Sequence, residues 1–345
     1  MFLTRRLLAL MVVSVLMFPL FADARDLASV HEMKIMAYNV ENMFMRLGKY
    51  KNMSPEQFKQ ITDSEVKSPE ALKGVAKAIL DENPDFIVVE EVEGLEALQV
   101  LSRDYLGDAY QAYLKEGNDA RGIQVGYLVK RDLALDVTLE SHKNSTWVDP
   151  NDHKTELVFS RDAPALLVRR QGAPAGSTPL FIFIGNHAKS QRDRPNDPGS
   201  HIMRAAQFQA IGQIVDGYQA QYGKDVRVIL GGDFNIDVRF GAEMKPLNAR
   251  LIDAFDAFGI KGIDRMTHTF HQRDGRTTFS QLDALLVSPS LKDSLVSIET
   301  YRYKDANGVP KPLPKSYDER SHNPSDHFPI MLTISTDSML RASGF

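Results

Sequence analysis

Val226-Arg227-Val228-Ile229-Leu230-Gly231-Gly232-Asp233-Phe234-Asn235 reads as a short apolar strand that runs into a carboxylate and an amide. The branched residues suit a strand covered on both faces, the two glycines let the backbone turn sharply, and Asp233 and Asn235, two apart, point to the same side. A carboxylate and an amide so placed can hold a phosphoryl oxygen and a water. Read alone, the segment equally fits a Gly-Asp turn in which the aspartate caps its own backbone.

Working outward, the same pattern recurs. Apolar, β-prone runs over 33–40, 86–89, 180–185, 282–287 and 328–334 resemble 226–230, and 122–130 and 157–170 add further strands, eight or more in all. Nearly every one is followed, or ended, by groups able to bind metal or phosphate: Asn39 and Glu41, Glu90 and Glu91, Asn186 and His187, Asp233 and Asn235, Asp283, then Asp326 and His327. Strand ends of one sheet converge on a rim, so groups scattered along the chain can share a pocket.

Helices lie between the strands. Ser68-Pro69-Glu70 supplies an N-cap, a proline for the first turn and an acid, ahead of Leu72, Val75, Ala76, Ile79 and Leu80 at helical spacing. A second amphipathic stripe, Ile202, Phe208, Ile211, Ile214 and Val215, runs over 200–222. The order is strand, helix, strands, helix, strands. Polar stretches over 48–64, 189–199 and 303–325 read as long loops, and the residues after Ser335 as a loose tail.

The composition bounds the chemistry. The chain has 345 residues, 43% apolar and 25% charged, ordinary values for a globular fold. It has no cysteine, which removes disulfides, thiolate metal sites and cysteine nucleophiles and leaves oxygen and imidazole as the strong metal ligands. Arg5 and Arg6, an apolar run over 7–21 and Ala22-Asp23-Ala24 read as an export leader cleaved before Arg25. That run falls short of the roughly 20 residues that span a bilayer, so no stable membrane anchor is expected. The formal charge is −4, and loss of Arg5, Arg6 and Asp23 leaves −5, so a polyanion site has to come from a local basic cluster or a bound cation.

Asp283, set among Leu and Val, is an ionised group that needs a partner, and His327 is the candidate. Pro329 restricts the backbone beside Ser325-Asp326-His327, although read alone that segment also fits a surface turn. Of Glu90 and Glu91, alternation sends one carboxylate to each side of the strand, so only one serves as a ligand. Hard oxygen ligands suit Mg²⁺, which keeps several waters and takes one or two protein carboxylates. Arg121, Arg161, Lys189, Arg192, Arg194 and Arg204 provide positive charge that a phosphodiester would want.

The set Asn39-Val40-Glu41-Asn42, Glu91-Val92, Asn186-His187, Gly231-Gly232-Asp233-Phe234-Asn235, Leu282-Asp283 and Ser325-Asp326-His327 resembles the endonuclease/exonuclease/phosphatase (DNase I-like) superfamily over about 33–335. The first of these motifs, with Asp119-Ala120-Arg121-Gly122-Ile123, is most similar to its bacterial exported nuclease-like branch. The resemblance implies an α/β four-layer sandwich of two packed mixed β-sheets flanked by helices. It divides the chain into a leader (1–24), a short linker (25–32), one catalytic domain (33–335) and a tail (336–345).

The resemblance also implies metal-dependent phosphoester hydrolysis. Asn39 and Glu91 would hold the principal Mg²⁺, with Mn²⁺ or Ca²⁺ as alternatives, and Asp233, Asn235 and Asp326 would contribute through water or at a second position. His327, oriented by Asp283, would be the general base, His187 and Asn235 would bind the phosphate and assist the leaving oxygen, and Arg121 and Lys189 would bind substrate. The family commonly has Gln where this chain has Glu90, and Asp119 is the available acid partner for His187. The expected protein is a monomeric nuclease, periplasmic or secreted, acting on nucleic acid without a protein partner. A phospholipid phosphodiesterase such as a sphingomyelinase, a phosphomonoesterase and a non-catalytic scaffold are the other readings.

Overall fold

Buried apolar runs that alternate with capped helices must stack in layers, and the computed structural model shows how; it describes residues 25, 29–174, 176–272 and 275–342. The leader therefore lies outside the described residues. In chain order the first half contains β1 (Glu32–Met43), α1 (Pro55–Thr62), α2 (Pro69–Glu82), β2 (Phe86–Val92), α3 (Leu95–Val100), β3 (Tyr110–Leu114) and β4 (Gln124–Lys130). Next come β5 (Leu135–Glu140), β6 (Thr146–Val148), β7 (Thr155–Leu157), β8 (Ala165–Arg170), β9 (Phe181–His187), α4 (His201–Tyr222) and β10 (Val228–Asp233). The chain continues through α5 (Lys245–Asn248), β11 (Ile252–Asp253), α6 (Ala254–Ala257), β12 (His268–His271), β13 (Thr277–Ser280) and β14 (Asp283–Val287). It finishes with β15 (Leu295–Thr300), α7 (Tyr317–Ser321), β16 (Ile330–Ser335) and α8 (Thr336–Ala342).

Two six-stranded mixed sheets result, ordered β15-β16-β1-β2-β4-β3 and β11-β14-β10-β9-β8-β5. Each has one parallel pair, β1 with β2 and β9 with β10, flanked by antiparallel neighbours. Their inner faces share one core, in which Ile35, Phe86, Val88 and Tyr127 meet Phe181, Phe183, Ile229 and Leu285. The outer face of the first sheet packs Met36, Ile87 and Val89 on Val75 and Ile79 of α2, and that of the second packs Ile182, Val228 and Leu230 with Phe208 and Ile211 of α4. This is the expected helix-sheet-sheet-helix arrangement.

Several expectations need correction. The loop over 48–64 contains α1, because Ser54 and Gln57 close a capping box around a proline in the first turn. Its Phe58 meets Phe44 and Tyr50 edge to face in a small separate core. The run over 157–170 is broken: the chain bends at buried Arg161 and Asp162, and β8 begins only after Pro164. Thr336–Ala342 is helical, with Thr336 and Met339 buried, so this stretch after Ser335 is not a loose tail. Among the described residues of 25–32, Arg25 pairs with Asp85 and Asp132 and Val30 is buried. No helix of the described residues is long and apolar enough to cross a membrane.

Candidate active site

Register alone gathers the chemistry. In the second sheet Asp283, Asp233 and His187 are directly opposite one another across three strands, and in the first sheet Asn39 is opposite Glu90. Strand β10 extends through both glycines, so Asp233 ends the strand instead of following it. His187 and Asp233 of these rows line a cavity of about 880 Å³ at one rim of the sandwich, while Asp283, Asn39 and Glu90 are buried beside them.

Three segments leave the regular pleat here. Glu91 has φ +63° where the pairing of β2 slips by one residue. Strict alternation would turn its side chain outward with Val89, and this left-handed bulge aims it into the cavity instead. Glu90 keeps the alternation and points into the core between the sheets. Glu41 and Asn42 are also left-handed, which shifts the pairing of β1 between Asn39 and Met43 and lets the Asn42 main-chain N–H donate to Glu91 Oε2 at 2.8 Å. Asn235 takes φ +52°, closing a turn in which its N–H donates to Asp233 Oδ1 at 2.7 Å.

At the centre, Asp233 Oδ2 accepts from Asn39 Nδ2 at 3.1 Å and Asn235 Nδ2 at 2.9 Å and is 3.6 Å from His187 Nε2. Glu91 Oε1 is 3.6 Å from the same nitrogen and 3.4 Å from Asn39 Nδ2. The Asn39 amide nitrogen thus faces the carboxylates, while its oxygen accepts from the Glu41 amide. Burial, together with Asp283 and Glu91, outweighs the pull of His327 and pushes the Asp233 carboxyl up to about 7. Glu91 and Asp233 both turn carboxylate oxygens toward His187 Nε2, and carboxylate oxygens are the donors that suit a hard divalent cation.

His327 Nδ1 is 2.8 Å from Asp283 Oδ2, the pairing expected from the sequence, and its Nε2 is 3.9 Å from Asp233 Oδ2. Burial disfavours the imidazolium, yet Asp283, Asp233 and Asp326 together hold His327 well above its ordinary value. His187 goes the other way: burial, then Arg161, His327 and Arg121, keep it well below its ordinary value and neutral. Its Nδ1 is buried with no partner among the described residues, so the proton belongs on Nε2, facing the carboxylates.

The structure corrects the partner offered for His187. Asp119 instead pairs with Arg161 Nε at 3.1 Å and lies 3.7 Å from Arg121, on one lip of the cavity. Arg121, Lys189 and Arg192 line that lip with Arg161 behind them. Arg204 is not a phosphate group: it is fully buried, donating to Lys189 O and pairing with Glu243. Arg194 is bound to Glu156 and Asp149.

Sequence reading missed His268 and Arg320. His268 starts β12 and its ring lies 4.8 Å from that of His327, while Arg320 pairs with both Glu41 and Asp326. His268, 59 residues before His327, leaves no sequence pattern that ties the two together; Arg320, six before Asp326, belongs to α7 inside a polar stretch that reads as a loop and where charge is ordinary. Glu90 is wholly buried and its oxygens have no partner among the described residues. Burial, then Asp283 and Asp233, holds it well above the usual carboxylate range.

Comparison with solved structures finds the same fold. Truncated TDP2 of Caenorhabditis elegans aligns at TM-score 0.56 and 18% identity, covering 88% of this chain and 98% of that one. The human Nocturnin catalytic domain with bound sulfate gives 0.56 and 16%, over 88% and 93%. D. rerio TDP2 complexed with a single-strand DNA product gives 0.54 and 15%, over 88% and 99%. No curated protein matches the sequence. The model of the Endonuclease/Exonuclease/phosphatase family matches residues 36–327, spanning every strand end that lines the cavity, and the chain belongs to this family of phosphoester hydrolases.

Proposed function

We propose that the protein is an exported Mg²⁺-dependent phosphodiesterase acting on nucleic acid. The observation that carries the reading is the cavity's polarity: Arg121, Lys189 and Arg192 on one lip, and on the floor the Glu91 and Asp233 carboxylates with His327, which buried Asp283 holds from behind. A chain of phosphodiesters needs cations for flanking phosphates as well as for the one that reacts. The DNA product bound by a zebrafish protein of the same fold supports the same substrate class. Arg5, Arg6 and the apolar run behind them support export.

Each residue then has a role. Asp283 accepts from His327 Nδ1, which leaves Nε2 to take the proton of the attacking water as its oxygen bonds to phosphorus. His187, neutral with its proton on Nε2, donates to a phosphoryl oxygen, whereas Asn235 Nδ2 spends its two hydrogens on Asp233 Oδ2 at 2.9 Å and Ala188 O at 3.1 Å and so fixes the carboxylate beside the phosphate. The leaving oxygen takes its proton from water as the phosphorus–oxygen bond breaks, because Asp233, accepting from Asn39 and Asn235, serves as a carboxylate. A cation held by Glu91 and Asp233, with Asn39 and Asp326 beside them, would supply positive charge to the phosphoryl oxygens.

The test is hydrolysis of supercoiled DNA, RNA, sphingomyelin and bis-p-nitrophenyl phosphate by the purified protein with Mg²⁺, Mn²⁺ or EDTA. The expected result is nucleic-acid cleavage that disappears in EDTA and in His327→Ala and Glu91→Ala. Cleavage of the lipid alone would reassign the substrate while keeping the site. Silence on every substrate would overturn the reading.

A further inference from the structure

We propose that His268, Asp326 and His327 form a second metal site, built for a borderline transition ion such as Zn²⁺, whose occupation shuts off the reaction proposed above. The inference rests on that reading for the role of His327, but the site stands on its own geometry. His268 Nε2 is 3.6 Å from Asp326 Oδ2, and His327 Nε2 is 3.9 Å from Asp326 Oδ1. One ligand atom from each residue falls within 4.8 Å of the other two. Tetrahedral zinc with bonds near 2.0–2.1 Å separates its ligand atoms by about 3.4 Å, so small side-chain adjustments close the set.

The surroundings are those of a metal site. His327 presents its other ring nitrogen to Asp283 at 2.8 Å, the carboxylate–histidine arrangement that fixes the tautomer of metal-bound imidazole and raises its basicity. Asp326 is anchored from behind by Arg320 at 3.2 Å, which leaves lone pairs toward the cavity. The two histidines are held together by the main chain, since His268 and His327 form an antiparallel bridge and the Phe328 amide donates to Thr267 O at 2.7 Å. All three side chains line the cavity, where water can complete the coordination.

Two imidazoles and one carboxylate select against Mg²⁺, which prefers an all-oxygen shell, and favour Zn²⁺, Co²⁺ or Ni²⁺. The lone pair such an ion takes from His327 Nε2 is the one that accepts the water's proton. Occupation of this site and catalysis therefore exclude each other, and the enzyme responds to the ratio of Zn²⁺ to Mg²⁺ around it.

The test uses the full chain and its His268→Ala and His268→Gln variants, with folding checked by circular dichroism. Co²⁺ is titrated in the presence of excess Mg²⁺ and read by visible ligand-field absorption; Zn²⁺ inhibition is measured relative to each variant's own Mg²⁺-dependent rate. The expected result is a cobalt spectrum in the parent that both variants lose, and a half-inhibiting Zn²⁺ concentration that rises about tenfold or more in both. Identical Zn²⁺ inhibition in parent and variants, or no cobalt bands in the parent, would overturn the site. A His268-dependent cobalt spectrum in a protein that hydrolyses no phosphoester would support the metal site and overturn the catalytic reading instead.

Discussion

His327 and Asp283 stand 44 residues apart in sequence and meet at 2.8 Å between Nδ1 and Oδ2, joining the rims of the two sheets. Asp283 opens β14 in the second sheet and His327 precedes β16 in the first, so the base is aligned only when the sheets are docked. Asp283→Asn keeps the shape but lets the amide donate to Nδ1, which puts the imidazole proton on Nε2 where a lone pair is required. The rate should fall by about 10²–10⁴-fold.

The same variant carries a pH signature. His327 is held above its ordinary value because three carboxylates outweigh its burial, and Asp283 is the largest of them. Activity rises with pH as His327 gives up its proton. Removing Asp283 lowers that ionisation, so the residual activity of Asp283→Asn should rise at a lower pH than the parent's. A profile of kcat/KM against pH, at fixed ionic strength, reads the shift directly.

Glu90 behaves as a buried neutral acid. Burial, Asp283 and Asp233 raise its pKa and keep it protonated, so its contribution to folding is fully present below the ordinary carboxylate pKa and is lost as pH rises toward the folded value. Glu90→Gln retains the neutral form's shape at every pH. The variant should therefore melt at a higher temperature than the parent at neutral pH, with the gap closing near pH ~4, and should keep the parent's rate within a few-fold. Melting curves at both pH values test it.

Gly232 is the tightest point of the floor. Its φ is +131°, and an added Cβ would stand 2.0 Å from Asn186 O and 2.7 Å from Glu90 Oε1. The first contact is main chain of the neighbouring strand and cannot move aside without breaking the row that aligns His187 with Asp233. Gly232→Ala should cost about 2 kcal/mol or more in stability and abolish activity, whereas Gly217→Ala, with open space around it, should do neither. Denaturant titration of the two variants makes the comparison.

These contrasts show what the sequence carried. The apolar runs, the helix caps and the position of Asp233 and His327 at strand ends are local signals, and they located the strands and the rim. Asp283 was legible because a lone acid inside Leu-Asp-Ala-Leu-Leu has few bland explanations. The aim of Glu91 was not, since period-two alternation applies to a regular strand and the bulge at φ +63° breaks it. Nor was the fate of Arg204, whose helical position suited solvent as well as the buried pair it makes with Glu243. Like the meeting of His268 with His327, it depends on which loops tertiary packing brings side by side.

Arg161 and Arg121 share the carboxylate of Asp119 but should differ as variants. Arg161 is 5% exposed and holds Asp119 at 3.1 Å, so Arg161→Ala strands a charge in the cavity wall and should lower stability and kcat together. Arg121 is 28% exposed and only 3.7 Å from Asp119, while its backbone is fixed by Tyr50 Oη donating to Arg121 O at 2.8 Å. Its guanidinium is therefore free to meet a flanking phosphate without being needed for folding. Arg121→Ala should raise KM for DNA about tenfold with a smaller change in kcat. It should also flatten the dependence of log binding on log salt by about one unit, the loss of one phosphate contact, a slope that Arg161→Ala leaves closer to the parent's.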